Sequence, residues 1–156
     1  MDDKYYMNLA ILEAVKAAKI DEVPVGAIIV DKDNDVIGYG YNSPISSNDP
    51  TSHAEINAIR TASRMLNNYR LIDTTLYVTI EPCIMCMGAI IHARIKRLVF
   101  GTKDPKWGAA GSLYSMADDK RLNHHPEVIS GIYEKKTKQL IKKFFINKRS
   151  HQWEIQ

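Results

Sequence analysis

Thr51-Ser52-His53-Ala54-Glu55 and Glu81-Pro82-Cys83-Ile84-Met85-Cys86 are the two stretches around which the chain is arranged. They hold one imidazole, two thiols and a carboxylate, Glu55, that is not needed as a ligand. Thirty residues separate His53 from Cys83, so the two stretches belong to different elements of the fold. Each falls where a loop or strand gives way to a helical pattern. Orphan N–H groups and the positive end of the helix dipole favour thiolate over thiol there. The three-residue spacing of Cys83 and Cys86 puts both sulfurs on one side of the first helical turn. One imidazole and two thiolates suit zinc, and three protein ligands instead of four leave a position open, as in catalytic sites.

The elements on either side follow from periodicity and punctuation. Asp2 or Asp3 can cap a first helix, with Tyr5, Leu9, Leu12 and Val15 at helical spacing to about Lys19. Val25–Val30 is apolar and β-branched, a strand buried on both faces. Asp31–Asp35 turns the chain, and Val36–Tyr41 pairs back as a hairpin. The spaced aspartates 31, 33 and 35 do not make a calcium loop: Val36 stands where glycine is required and Asn42 where glutamate is. Thr51 or Ser52 caps a helix carrying His53, Ile56, Ala58, Ile59, Ala62 and Met65 to about Leu66. Thr75–Thr79 reads as a strand. Glu81-Pro82 starts a second helix, with Pro82 at or near its first position, running to about Ala93. Arg97–Gly101 and Glu127–Ile132 are further strands, residues 113–122 have weak helical character, and a basic helix spans about 133–150. The expected class is α/β, three α/β/α layers around a mixed five-stranded sheet, in one domain over residues 1–156.

Composition removes several classes. Cys83 and Cys86 are the only cysteines, which is no disulfide framework, and the polar start Met1-Asp2-Asp3-Lys4-Tyr5 is unlike a signal peptide. The longest proline-free apolar run, Cys83–Ile91, is nine residues, against about 20 for a membrane span. A cytoplasmic protein with no membrane partner is expected. The net charge of +3 is uneven: from Tyr133 onward, seven Lys/Arg face Glu134 and Glu154. That basic tail suits a nucleic acid, and equally a solvated helix face.

Cys-x-x-Cys alone also fits a redox pair or half of a structural zinc site. A fourth ligand would have to come from His92, His124, His125 or His151. His92 lies too far round its helix from Cys86 to share a metal easily, and His124-His125 reads as a surface turn. Glu55 has no structural reason to accompany an incomplete ligand set. Near a zinc-activated water it is placed to take the proton and pass it on.

His53-x-Glu55 with Pro82-Cys83-x-x-Cys86 matches the signature on record for the zinc nucleoside and nucleobase deaminases. Within that superfamily the chain resembles the bacterial tRNA-specific adenosine deaminases over nearly its whole length. The shared stretches are Val23–Ala27, Asn42, His53–Ile56, Glu81–Ala89, Asp104-Pro105-Lys106-x-Gly108–Ser112, Leu122–His124 and the Phe144-Phe145 helix. After the two phenylalanines that family often has paired arginines; Lys148-Arg149 stands here, and a lysine lacks arginine's bidentate grip on phosphate.

The resemblance implies a cytidine deaminase-like fold and hydrolytic deamination of adenosine to inosine at the wobble position of a tRNA anticodon stem-loop. Zinc-bound hydroxide would attack C6, with Glu55 as proton shuttle and one Zn2+ per subunit held by His53, Cys83 and Cys86. It further implies that the Ala54 and Cys83 N–H groups hold the hydrated group, that Asn42 bonds the base or ribose, and that Val25 and His53 wall the ring. Asp104 and Lys106 would read the RNA backbone, Asp104 having a turn role as its alternative. Arg149 would meet phosphate. Of Phe144 and Phe145, one would face the core and one the RNA, with Phe144 the candidate contact. The family is typically homodimeric. Two rivals stand beside this: a deaminase of a free nucleobase or nucleoside (guanine, cytosine, cytidine), and a non-catalytic, zinc-stabilised RNA-binding module.

Overall fold

Every residue of Gly26–Val30 (β1) is buried. The strand has a neighbour on each edge and a helical layer on each face, which is why its sequence is apolar without alternation. The computed structural model describes residues 2–154, with side chains through Ser150. β1 pairs antiparallel with Val36–Tyr41 (β2) and with Thr75–Ile80 (β3). β3 pairs parallel with Arg97–Thr102 (β4), and β4 with Glu127–Ile129 (β5). The order β2-β1-β3-β4-β5 makes the expected mixed five-stranded sheet.

Two cores lie on its opposite faces. On one, Ala27, Ile29, Leu76, Val78, Leu98 and Phe100 pack under Ala54–Leu66 (α2) and Ile84–His92 (α3). On the other, Ile28, Val30, Tyr77 and Val99 pack under Asp3–Lys19 (α1), with Leu140 of Glu134–Glu154 (α4) against them. Alternate residues of each strand therefore serve different helical layers.

The helices present other faces than side-chain size suggests. In α1, Met7, Ala10, Ile11, Ala14 and Ala17 are buried, while Tyr5 and Leu12 are 56% and 60% exposed. In α2, Ala54, Ala58 and Ala62 face the sheet and Met65 is 70% exposed. Close approach is the cause. Gly38 and Gly40 of β2 lie directly beneath α2, where a Cβ would run into the backbone of Ala54 and Ala58. Only alanines fit over that surface, so bulk turns outward.

Boundaries differ in five places. His53 occupies the N-cap position of α2, not Thr51 or Ser52. Cys83 is the N-cap of α3, leaving Pro82 just outside the helix. Residues 113–122 hold only the 3-10 turn Met116–Asp118. β5 stops at Ile129, because Gly131, at φ 88°, turns the chain into α4, its N–H still donating to Gly101 O at 3.1 Å. That last helix runs past the expected end to Glu154.

Gly26 pairs with Tyr41 and Ile80 with Thr102, so Val25, Asn42, Glu81 and Lys103 all leave the sheet at the same end. The N-termini of α2 and α3 open onto that end.

Candidate metal centre and active site

His53 and Cys83 each occupy an N-cap position, yet neither uses its side chain to cap its helix. Both side chains turn toward one another instead. His53 Nδ1 lies 3.6 Å from Cys83 Sγ and 3.5 Å from Cys86 Sγ, and the three ligand atoms fall within 4.8 Å of one another. Zinc bonded at ~2.0–2.1 Å to nitrogen and ~2.3 Å to sulfur would separate its ligands by roughly 3.5–3.8 Å. The triangle fits that ion. The hydrogen bond from Cys86 brings the Cys83 thiol down to about 4, and the same bond, with burial, pushes Cys86 up. His53 is raised, chiefly by its hydrogen bond to Cys83. Zinc would take the place of that shared proton and hold both sulfurs as thiolates.

Among the described residues no fourth His, Cys, Asp or Glu joins the cluster. The other candidates are engaged or remote: His124 Nε2 meets Ile95 O at 2.6 Å, His125 Nε2 meets Asp119 O at 2.8 Å, and His92 is exposed at the far end of α3. The His151 side chain lies outside the described residues.

His53 and Cys83 line a cavity of about 490 Å³, together with Val25, Asn42, Glu55, Ile80, Glu81, Asp104 and Trp107. Glu55 is 3% exposed, and burial raises its carboxyl above the ordinary range. A buried carboxyl that holds its proton more tightly than one in water is suited to accepting a proton and passing it on.

Residues 1–102 match the model of the cytidine and deoxycytidylate deaminase zinc-binding region. The chain belongs to that deaminase family. A tRNA-specific adenosine deaminase of Haemophilus influenzae is 48% identical over 147 residues, 94% of this chain and 85% of the relative. A structure solved in work on A-to-I editing by tRNA:A34 deaminases superposes with a TM-score of 0.84 at 43% identity, covering 87% of this chain and 98% of that one. A guanine deaminase from Bacillus subtilis superposes at 0.62 with 38% identity over 66% of each chain. The zinc expected of the deaminase family and the His53/Cys83/Cys86 triangle agree.

Other deaminase-site residues take up positions that spacing could not reveal. Asn42 Oδ1 accepts the Ala54 N–H at 2.8 Å, so the N–H expected to hold the hydrated group and the side-chain oxygen expected to meet the base or ribose are partnered with each other. Asp104 lines the cavity, but its Oδ1 accepts the N–H groups of Lys106 at 3.0 Å and Trp107 at 3.2 Å, which is the turn role. Lys106 is exposed and outside the cavity lining. Phe144 is half-buried on α4 beside Ala18 and Asp21, with the Lys148 ammonium 5.4 Å from its ring centre. Phe145 is 45% exposed, and Arg149 is exposed. On α4, Lys148 pairs at 3.2 Å with Asp21, two residues before the cavity-lining Val23.

Two buried glutamates that no motif marks hold backbone around them. Glu81, 2% exposed, accepts N–H groups from Asp104 (3.1 Å), Ala110 (3.0 Å) and Ser112 (3.0 Å), and the Ser112 hydroxyl. The loop 104–112 is wrapped around this one carboxylate. Glu22, 1% exposed, does the same for the loop after β2, accepting from Ile45 N (3.2 Å), Ser46 N (2.8 Å) and Ser46 Oγ (3.0 Å). The apolar strand after Glu22 and the glycines and serines around 104–112 were the available signal. Each carboxylate is satisfied by backbone 23 or more residues away in sequence, which no local pattern displays.

Proposed function

We propose that this chain hydrolyses adenosine to inosine at the wobble position, A34, of a tRNA anticodon loop. The observation that carries the chemistry is the buried Glu55 carboxyl lining the same cavity as His53 and Cys83. The likeness to tRNA-specific adenosine deaminases over 94% of the chain carries the substrate.

Zinc held by His53, Cys83 and Cys86 would supply an acidified water at neutral pH. Glu55 takes that water's proton and delivers it to N1 of the purine, then carries the proton of the new C6 hydroxyl to the departing amine. A C6–O bond forms, the C6–N bond breaks, and ammonia leaves. Val25 and the His53 ring wall the base. Asn42 fixes the start of α2 through Ala54 and keeps its amide nitrogen for the nucleoside. Lys106, Arg149 and the lysines of α4 meet phosphate, since a flipped base arrives with its backbone. We take residues 1–156 as one deaminase unit acting in the cytoplasm, where no described helix is long and apolar enough to cross a membrane. We also take it to pair as a homodimer: the exposed Met65, Leu66, Tyr69 and Ile72 offer apolar surface for a second copy.

The test is inosine formation in an anticodon stem-loop carrying adenosine at the first anticodon position, with free guanine and free cytidine in parallel. Inosine in the RNA is expected. Turnover of guanine with no inosine would move the chain to the reading favoured by the Bacillus subtilis guanine deaminase. RNA binding with no turnover of any of these would leave a zinc-stabilised binding module.

A further inference from the structure

Trp107 lines the mouth of the cavity that holds His53 and Glu55, yet it is 67% exposed. Ile84, beside it in the same lining, is 50% exposed. An indole left open to water next to an active cavity is unused apolar area, and its ring N–H makes no hydrogen bond to the described residues. Its backbone, by contrast, is firmly held. The Trp107 N–H donates to Asp104 Oδ1 at 3.2 Å, and the Gly108 N–H donates to Asp104 O at 2.9 Å. Gly108 bridges to Cys83, and the Ala109 N–H donates to Pro82 O at 2.8 Å. Beneath lies the Glu81 carboxylate with its four donors. The ring therefore stands on a rigid loop tied directly to the metal-binding stretch.

A base drawn out of an RNA loop leaves neighbours that have lost a stacking partner. Single-stranded RNA recovers that loss on aromatic side chains. We infer that Trp107 is a stacking platform for the nucleobase adjoining the reacting adenosine, a flanking-base subsite at the cavity mouth. This rests on the RNA-deaminase reading above. The exposed Lys106 beside it is placed for the phosphate of the same nucleotide. Stacking does not read base edges, so the subsite tolerates any base and rejects a missing one.

Trp107 and Trp153 are the two tryptophans, so Trp153→Phe leaves Trp107 as a single fluorophore. That protein is titrated with an anticodon stem-loop and with two copies made abasic at the nucleotide on either side of the wobble adenosine. The intact RNA should quench Trp107, and one abasic copy should not. Trp107→Ala should raise KM for the intact stem-loop about 10-fold, the size of one base–aromatic stack, with kcat within about twofold. Trp107→Phe should restore most of the loss, and Trp107→Ala should add nothing on the abasic RNA that fails to quench. Emission blind to RNA, or a KM penalty equal on intact and abasic RNAs, overturns the subsite. So does emission that follows protein dilution and not RNA, which would assign the indole to a protein contact. Quenching needs no turnover, so a chain that bound RNA without forming inosine would sink the deaminase reading and still report on Trp107.

Discussion

Asn42 Oδ1 accepts the backbone N–H of Ala54 at 2.8 Å, capping a helix twelve residues further along the chain. The residue at that helix's own N-cap position, His53, makes no cap with its side chain. The division of labour has a chemical reason: an imidazole tied down as a helix cap could not also be a ligand. Asn42 supplies the acceptor, and His53 is released toward Cys83 and Cys86.

Asn42→Ala should therefore cost about 1 kcal/mol of stability, the usual value of a lost helix cap. It should also loosen zinc, since the backbone that aims His53 frays. Asn42→Asp keeps an acceptor and should restore both. Urea unfolding and zinc content after dialysis read the two effects. Full stability in Asn42→Ala would show that the bond carries no load.

Glu55→Gln keeps the side chain's shape and removes its proton chemistry. Zinc content should stay at one per chain, while kcat for inosine formation should fall about 10²–10⁴-fold, the range of a lost general acid–base. A variant that lost its metal would instead place Glu55 among the groups that build the site.

Gly108 has no room for a side chain: a Cβ there would meet the Glu81 carboxylate and the backbone oxygen of Asp104. Because Glu81 is held by four donors, it cannot swing aside cheaply. Gly108→Ala should cost about 1–3 kcal/mol as overpacking and disturb the loop carrying Asp104 and Trp107, raising KM for RNA more than it lowers kcat. Thermal unfolding and steady-state kinetics on the stem-loop check both, and an unchanged KM would mean the loop does not touch substrate.

Asp3 and Arg97 join the start of α1 to the start of β4 at 2.7 Å, each side chain 19% exposed. The hydrogen bond from Arg97 lowers the Asp3 carboxyl below its ordinary 3.8. A folded value below the unfolded one means the pair stabilises fully above pH 3.8 and loses its effect as pH falls through the folded value. Asp3→Asn should be about 2 kcal/mol less stable at neutral pH, and the gap should narrow only on the acid side of that ordinary carboxylate value. Unfolding curves across pH 3–7 (roughly the span over which a carboxylate titrates) would show it, and a gap independent of pH would assign the loss to packing.

What could be read ahead of the fold follows a physical line. The β1–β2 hairpin and the buried β3 and β4 are patterns of neighbours, written within a few residues. Helix faces are not written so locally. In α1, the set Tyr5, Leu9, Leu12 and the set Met7, Ala10, Ala14, Ala17 have equally good helical spacing. Periodicity cannot choose between them, and the choice falls to how closely the helix lies on the sheet. For Phe144 and Phe145 the same limit applies: Phe144 is half-buried at a pocket it shares with Ala18 and Asp21, while Phe145 is 45% exposed.

The sequence by itself determined the donor set: His53, Cys83 and Cys86 at helix starts, with Glu55 two residues from the imidazole. Metal affinity and proton transfer depend on residue type at short spacing, and those are written in order along the chain. Tertiary structure alone decided that the two stretches meet, because four strands end together and bring Val25, Asn42, Glu81 and Lys103 to one end of the sheet. It alone showed that Asn42 caps α2, that Glu81 gathers the 104–112 loop and that Trp107 stands open at the cavity mouth. Each of these depends on a partner distant along the chain, and such distances are fixed only when the sheet forms.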